Sequence, residues 1–417
     1  MLIKRVVARE VLDSRGKPTV ECELHTADGA VGRAIAPSGA STGSAEAREL
    51  RDGDRSRYDG DGVLNAVANI RRILGPAVIG LDPSDQAAVD GRLLQLDSSP
   101  QKSALGGNAI LAVSLAAAHL AAAVQRQPLF VHLAELWGQG SPKMPLPMVN
   151  MISGGKHAGG NLDFQDILIQ PLGAPSYRVG LEWIVRVYRR LGELLRQSGY
   201  EGYLVGDEGG FGPRLKSNRE AVEFVVRAIE HAELRPGVDV NLAIDVASTQ
   251  FYREGRYVLR AEGGQTLTAD EMIDRLAGWV DEFPIASIED GLAEEDWAGW
   301  ERLTARLGHQ VKLVGDDLFA TNERRVQRGI ATQAANAVLI KMNQIGTLTE
   351  TLQTMRVARS AGFACVVSAR SGETEDTTMA DLAVATAAES IKIGSIVRSE
   401  RLAKYNQLLR LEELLDA

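Results

Sequence analysis

The sequence predicts an α/β protein: an eight-stranded β/α barrel preceded by a smaller α+β domain. Three observations carry this. The opening of the chain alternates apolar or β-branched runs with turn residues. Beyond Gly138 short, continuous apolar runs alternate with helix-length segments. Each of those later runs leads into a charged or polar residue. Continuous apolar runs joined by helices indicate parallel strands covered on both faces.

The elements follow in order. Ile3–Val7, Thr19–Leu24 and Val31–Ala36 are strand-like, divided by Ser14-Arg15-Gly16-Lys17-Pro18 and Ala27-Asp28-Gly29. Helical patterns follow at about 62–75, 84–96 and 107–126, with Asp82-Pro83-Ser84 as a helix start. The most apolar stretch, Ala109–Val124, is too short for a membrane span and carries His119 and Ser114, which predicts a buried helix. The Gly/Pro-rich stretch Gly138–Pro147 divides the chain into domains 1–137 and 138–417. Six runs then recur: Asn241–Ile244, Ile285–Ile288, Val311–Val314, Ala337–Ile340, Phe363–Val367 and Ser390–Ile393. Candidate strands at 145–152 and 165–170 complete eight, with a doubly wound open sheet as the competing arrangement.

Composition narrows the function. The 417 residues suffice for a full core, and the net charge of −9 argues against a non-specific nucleic-acid binder. Two cysteines, Cys22 and Cys365, make neither a disulfide framework nor a metal motif. No secretory leader or membrane span is read, so the expectation is a cytoplasmic protein without membrane or nucleic-acid partners.

The runs end in Asp245, Glu289-Asp290, Asp316-Asp317, Lys341, Arg370-Ser371 and Lys392. Catalytic groups of a β/α barrel gather at the C-terminal strand ends. Any single acid there is as readily a helix N-cap. Three successive acids, then two lysines and an arginine, fit caps poorly. Three converging carboxylates repel one another unless a hard cation sits between them, so Asp245, Glu289 and Asp316 read as a Mg²⁺ site. The cation should lower the pKa of the adjacent Lys341 and Lys392, as a general base requires. Gly206-Asp207-Glu208-Gly209-Gly210 places an acid in a glycine-rich loop. Gly154-Gly155-Lys156-His157-Ala158-Gly159-Gly160 lacks the phosphate-loop pattern and reads as a lid, or as a surface loop with a solvated histidine. Ser38-Gly39-Ala40-Ser41-Thr42-Gly43 is either a turn or a mobile loop that supplies a ligand.

These blocks, with Val11-Leu12-Asp13-Ser14-Arg15-Gly16, Ile340-Lys341-Met342-Asn343-Gln344-Ile345-Gly346, Arg370-Ser371-Gly372-Glu373-Thr374-Glu375-Asp376 and Arg398–Lys404, resemble the enolase family in order and over nearly the whole chain. The resemblance implies an enolase-type (β/α)₈ barrel that opens ββαα, and a carbon–oxygen hydro-lyase using two Mg²⁺ per site. It implies Asp245, Glu289 and Asp316 on the first Mg²⁺ and Ser41 on the second. Lys341 becomes the base and Glu208 the acid for the departing hydroxide. Lys392 lies against the carboxylate, Arg370 and Ser371 bind phosphorus, His157 comes from the lid, and Gln165 borders the pocket. The substrate is a small anionic carboxylate bearing phosphorus, and the assembly a homodimer or ring of dimers.

Four positions depart from the family pattern. Ala369 stands where a histidine precedes Arg-Ser, Gln165-Asp166 replaces Gln-Glu, Thr249-Gln250 replaces Ser-Glu, and Ser153 replaces Asn. Drift is one reading. The other is an enlarged pocket near phosphorus, with Ala369 and Asp166 among its lining residues. That suits the dehydratase forming carboxyphosphonoenolpyruvate in phosphinate and phosphonate biosynthesis. Housekeeping hydration and dehydration of 2-phosphoglycerate is the alternative, and a non-catalytic binding protein on the same fold is the third.

Overall fold

The computed structural model describes residues 1–40 and 42–416. Strands β1 (Arg5–Leu12), β2 (Pro18–His25) and β3 (Val31–Ile35) form an antiparallel meander. Helix Gly107–Gln125 packs on β2 and β3. It is apolar on every side and long enough to cross a membrane, yet 83% of its most apolar window is buried inside the fold. All-round hydrophobicity here marks a core helix. Gly32 permits the close approach: a Cβ there would lie 2.2 Å from the Leu120 nitrogen.

The second domain is a closed barrel. Its strands are β4 (Leu146–Ser153), β5 (Asp166–Gln170) and β6 (Asn241–Asp245). After a small antiparallel excursion, β7 (Tyr252–Arg253), β8 (Arg256–Leu259) and β9 (Gln265–Leu267), come β10 (Ile285–Glu289) and β11 (Lys312–Gly315). The last are β12 (Ala337–Ile340), β13 (Ala364–Ser368) and β14 (Ser390–Gly394). β14 pairs with β4, which closes the ring and excludes the open-sheet alternative.

One strand runs backwards. β5 is antiparallel to both neighbours. A short loop, 154–165, joins β4 to β5, and two consecutive helices, Tyr177–Gln197 and Asn218–His231, follow before β6. This is the ββαα opening. Reversal puts the start of β5 at the rim where the other strands end, so Asp166 pairs with Asp245.

A separate apolar cluster fills the barrel: Met148, Leu168, Ala243, Val314, Ala337, Leu339 and Val366. Side chains alternate faces along a strand, so a residue two positions from an interior one also faces inward. That rule carries Ala243 to Asp245, Val314 to Asp316 and Leu339 to Lys341, stacking polar groups directly above the apolar plug.

Candidate active site

The inward-facing polar groups form two clusters around two ammonium ions. Lys392 Nζ donates to Asp245 Oδ2 at 2.7 Å and to both Glu289 oxygens at 2.8 Å. Lys341 Nζ donates to Asp316 Oδ2 at 2.5 Å, while Gln344 Nε2 donates to Asp316 Oδ1 at 2.8 Å. All five ionisable groups are buried to within a tenth of full exclusion, except Lys341, which is partly buried. Lys392 lies in the middle of β14, not at its end as the run pattern suggests. The two lysines therefore face different carboxylates.

The neighbouring carboxylates set the electrostatics of both lysines. Burial alone would lower Lys341, but the Asp316 carboxylate outweighs it and holds the ammonium above its ordinary range. Lys392 is likewise held well above its usual value, since Asp245 and Glu289 overcome the cost of burial. Burial, and then repulsion from Asp245, push Glu289 upward. The lowering expected of these lysines belongs to a cation bound beside them; the carboxylates by themselves act in the opposite direction. Buried carboxylates attract whatever positive charge is at hand, and here it is the ammonium itself.

The loop between β4 and β5 contributes a second network, with His157 buried in it. His157 Nδ1 lies 3.0 Å from Asp166 Oδ2, and His157 Nε2 lies 3.9 Å from Glu208 Oε1. Burial opposes the imidazolium, yet Asp166 and Glu208 raise His157 to about 9. Burial raises Asp166 to about 6 against the pull of His157. Burial would also raise Glu208, but His157 and then Arg401 hold it below its ordinary value. Asp166 additionally accepts from Asn150, which also donates to Ser153 Oγ at 2.9 Å. Both Asp166 oxygens are thus engaged, one of them by the lid histidine. Gln165 Nε2 donates to Asp245 Oδ2 at 3.1 Å.

The residues expected to bind phosphorus follow β13. Ala369 is buried and donates its N–H to the Lys392 carbonyl at 2.8 Å. Arg370 NH1 donates to Glu46 Oε2 at 2.8 Å and to Asn343 Oδ1 at 3.0 Å. Ser371 Oγ accepts from Ala40 N at 2.8 Å and from Arg15 NH1 at 3.3 Å. The Arg370-Ser371 turn is pinned from behind. Arg401, fully buried on helix Ser399–Asp416, donates to the carbonyls of Arg370 at 2.6 Å, Ser371 at 2.7 Å and Ile393 at 3.0 Å. Ser41 lies outside the described residues.

Several contributors escape a reading of the sequence. Glu46 belongs to the first domain and reaches Arg370 across the domain interface. Asp290 stands beside Glu289 but does other work: its two oxygens accept the N–H groups of Asp316 and Asp317, both at 2.9 Å. It shapes the turn carrying Asp316, and the odd–even alternation of a strand is the signal that separates it from Glu289. Asp290, Asp316 and Asp317 also offer oxygens within 4.8 Å of one another, as do His157, Asp166 and Glu208 among mixed ligand atoms.

Two family profiles cover almost the entire chain. Residues 3–133 match the profile described as enolase, N-terminal domain, and residues 141–417 match that described as enolase, C-terminal TIM barrel domain. The chain belongs to the enolase family. It is an enolase-type hydro-lyase, on a fold whose members are typically metal-dependent. The donor chemistry fits such a metal. The acids at the barrel mouth offer only carboxylate oxygens, the ligands of hard divalent cations, and two buried ammonium ions already mark the demand for positive charge there.

Proposed function

We propose that this enolase-family enzyme dehydrates a 2-phosphoglycerate-type acid whose phosphorus carries a larger substituent, giving carboxyphosphonoenolpyruvate. One observation carries the choice: a buried alanine, Ala369, adjoins Arg370 while the acid–base groups stay complete. Replacing an imidazole by a methyl group removes bulk and hydrogen bonding near phosphorus and leaves the rest of the site in place. Asp245, Glu289 and Asp316 would hold Mg²⁺, which supplies positive charge to the substrate carboxylate. Lys341 takes the α-proton, Glu208 protonates the departing hydroxyl, and Lys392 faces the carboxylate. Arg370 and Ser371 orient the phosphorus group.

Interconversion of 2-phosphoglycerate and phosphoenolpyruvate is the second reading. Glu46 favours it, because its carboxylate offsets the Arg370 charge that an extra anionic substituent would need. Competition between 2-phosphoglycerate and its carboxyphosphono analogue separates the two. The native enzyme should prefer the analogue, and Ala369→His should shift kcat/KM toward 2-phosphoglycerate by at least about tenfold, or about 1.4 kcal/mol. Native turnover of 2-phosphoglycerate at about 10–10³ s⁻¹, with the analogue ignored, would establish the second reading.

The assigned roles have their own test. Lys341→Ala should abolish exchange of the substrate α-proton with solvent deuterium. Glu208→Gln should preserve that exchange while blocking loss of hydroxide. Equal loss of exchange in both variants would refute this division of labour.

A further inference from the structure

The turn Asp13-Ser14-Arg15-Gly16 joins β1 to β2, and the proposed reaction gives it no part. It is closed on itself. Asp13 N donates to the Lys17 carbonyl at 2.8 Å, and Asp13 Oδ1 accepts from Arg15 N at 2.8 Å and Lys17 N at 2.9 Å. A carboxylate that takes the backbone N–H two residues on makes an Asx turn, which fixes where Arg15 starts. The turn lies against the segment after β13. Ser14 N donates to the Glu373 carbonyl at 2.7 Å, and Ser14 Oγ accepts from Glu373 N at 3.2 Å. A Cβ at Gly372 would collide with Asp13 Oδ2, Arg15 NH2 and the Ser38 carbonyl, so only glycine permits this approach.

The Arg15 side chain is only 13% exposed. Its NH2 donates to the Ser38 carbonyl at 3.2 Å and lies 3.3 Å from Ser38 Oγ and 3.4 Å from Asp13 Oδ2. Its NH1 donates to Ser371 Oγ at 3.3 Å. One planar guanidinium thus bridges Ser38 and Ser371. A serine oxygen has two acceptor sites and one proton. Both acceptor sites of Ser371 Oγ are filled, one by Ala40 N at 2.8 Å and the other by Arg15. Neither N–H can accept in return. The hydroxyl therefore meets any further partner as a donor, and the oxygens of an ionised phosphorus group are acceptors. Without Arg15 the Ser371 proton gains a second position, on the vacated side, and its direction is no longer fixed.

We propose that Arg15 is a positioning residue for the phosphorus group: reaching over from the first domain, it locks the Ser371 hydroxyl as a donor toward the bound anion. The inference rests on the proposed role of Ser371 in binding phosphorus. A lysine keeps the charge of Arg15 but has one nitrogen on a flexible stem, and cannot serve Ser38 and Ser371 together. Position and charge are therefore separable by experiment.

The test is calorimetric titration of the full chain with inorganic phosphate at constant Mg²⁺. Arg15→Met should weaken binding by about tenfold or more, the scale of one hydrogen bond to a charged group. Arg15→Lys should lose nearly as much, although it keeps the charge. Once Ser371→Ala has removed the hydroxyl, adding Arg15→Lys should cost little more. Native affinity in Arg15→Lys, or additive losses in the double variant, would overturn the proposal, since either makes the arginine a remote charge or a structural clamp. Should Arg15→Met fail to fold, Arg15→Lys decides alone by the same criterion. Ser371→Ala separates the two levels. If that variant binds phosphate as the native protein does, or the native protein binds none, the phosphorus-binding role of Ser371 is wrong and the inference falls with it. If Ser371→Ala loses affinity while Arg15→Lys binds normally, only the role of Arg15 is wrong.

Discussion

At the scale of single residues, the lid histidine makes the enzyme's stability depend on pH with a definite sign. His157 sits at about 9 in the fold, against 6.5 for an ordinary imidazole. Its charged form is thus favoured by folding. The stabilisation is complete below 6.5 and is lost as pH rises through about 9. Asp166, raised from 3.8 to about 6, also makes the fold lose stability as pH rises, in a lower window. In chelator-treated protein, urea midpoints should therefore fall between those two imidazole values, and His157→Gln should flatten the decline. An equally steep decline in that variant would locate the titration elsewhere. The origin of the pair was only half legible. His157 could be singled out from its glycine-rich loop, and Asp166 stands only nine positions on, but no pattern in the sequence shows that the loop folds back to bring the two side chains together.

At the scale of elements, the C-terminal helix fixes the Arg370-Ser371 turn through backbone carbonyls. Arg401 reaches three of them with a planar fork. A lysine has a single nitrogen on a flexible stem and cannot reproduce that spread. Arg401→Lys should lower stability by about 2–3 kcal/mol, as lost charge-assisted bonds typically do. It should also raise KM more than it lowers kcat, because the turn carries the proposed binding groups. A normal KM with reduced stability would make the arginine a purely structural clamp. The barrel strands around this turn were legible as continuous apolar runs ending in charge, while the runs alone left an open sheet as the competing arrangement until β14 was seen to pair with β4. The reversed β5 was not legible from periodicity alone: five residues alternate alike in either direction. Only the enolase resemblance implied it. Lys392 was displaced inward from its expected strand end because the pairing of β14 with β4 extends the strand to Gly394.

At the scale of the whole molecule, the first domain completes the site. Backbone bonds link Ser38 with Gly372 in both directions, at 2.8 and 2.9 Å, and Ser14 N donates to the Glu373 carbonyl at 2.7 Å. Glu46 extends the same interface into the pocket. It bonds Arg370 and also accepts from Gln344 Nε2 at 3.2 Å and Gly43 N at 2.9 Å. Gln344 bonds Asp316, and Asp316 holds Lys341. One buried chain of contacts thus runs from the first-domain loop, past Arg370, to the proposed base. The sequence separates Glu46 from Arg370 by 324 positions, which hid the pair from any local pattern. Breaking a buried pair by removing one partner typically costs about 3–5 kcal/mol, since the remaining charge stays desolvated. Glu46→Ala should therefore lower stability on that scale, measured by urea denaturation with the metal chelated. Glu46→Asp should recover part of it by restoring the charge on a shorter stem. The same Glu46→Ala change frees Arg370 from a competing carboxylate, so the folded fraction should bind inorganic phosphate more tightly than the native protein does. Stability within about 0.5 kcal/mol of native, the scale of an ordinary surface substitution, would show that the interface does not depend on this pair. Weaker phosphate binding in the folded variant would show that Glu46 holds Arg370 in its binding position instead of competing for it.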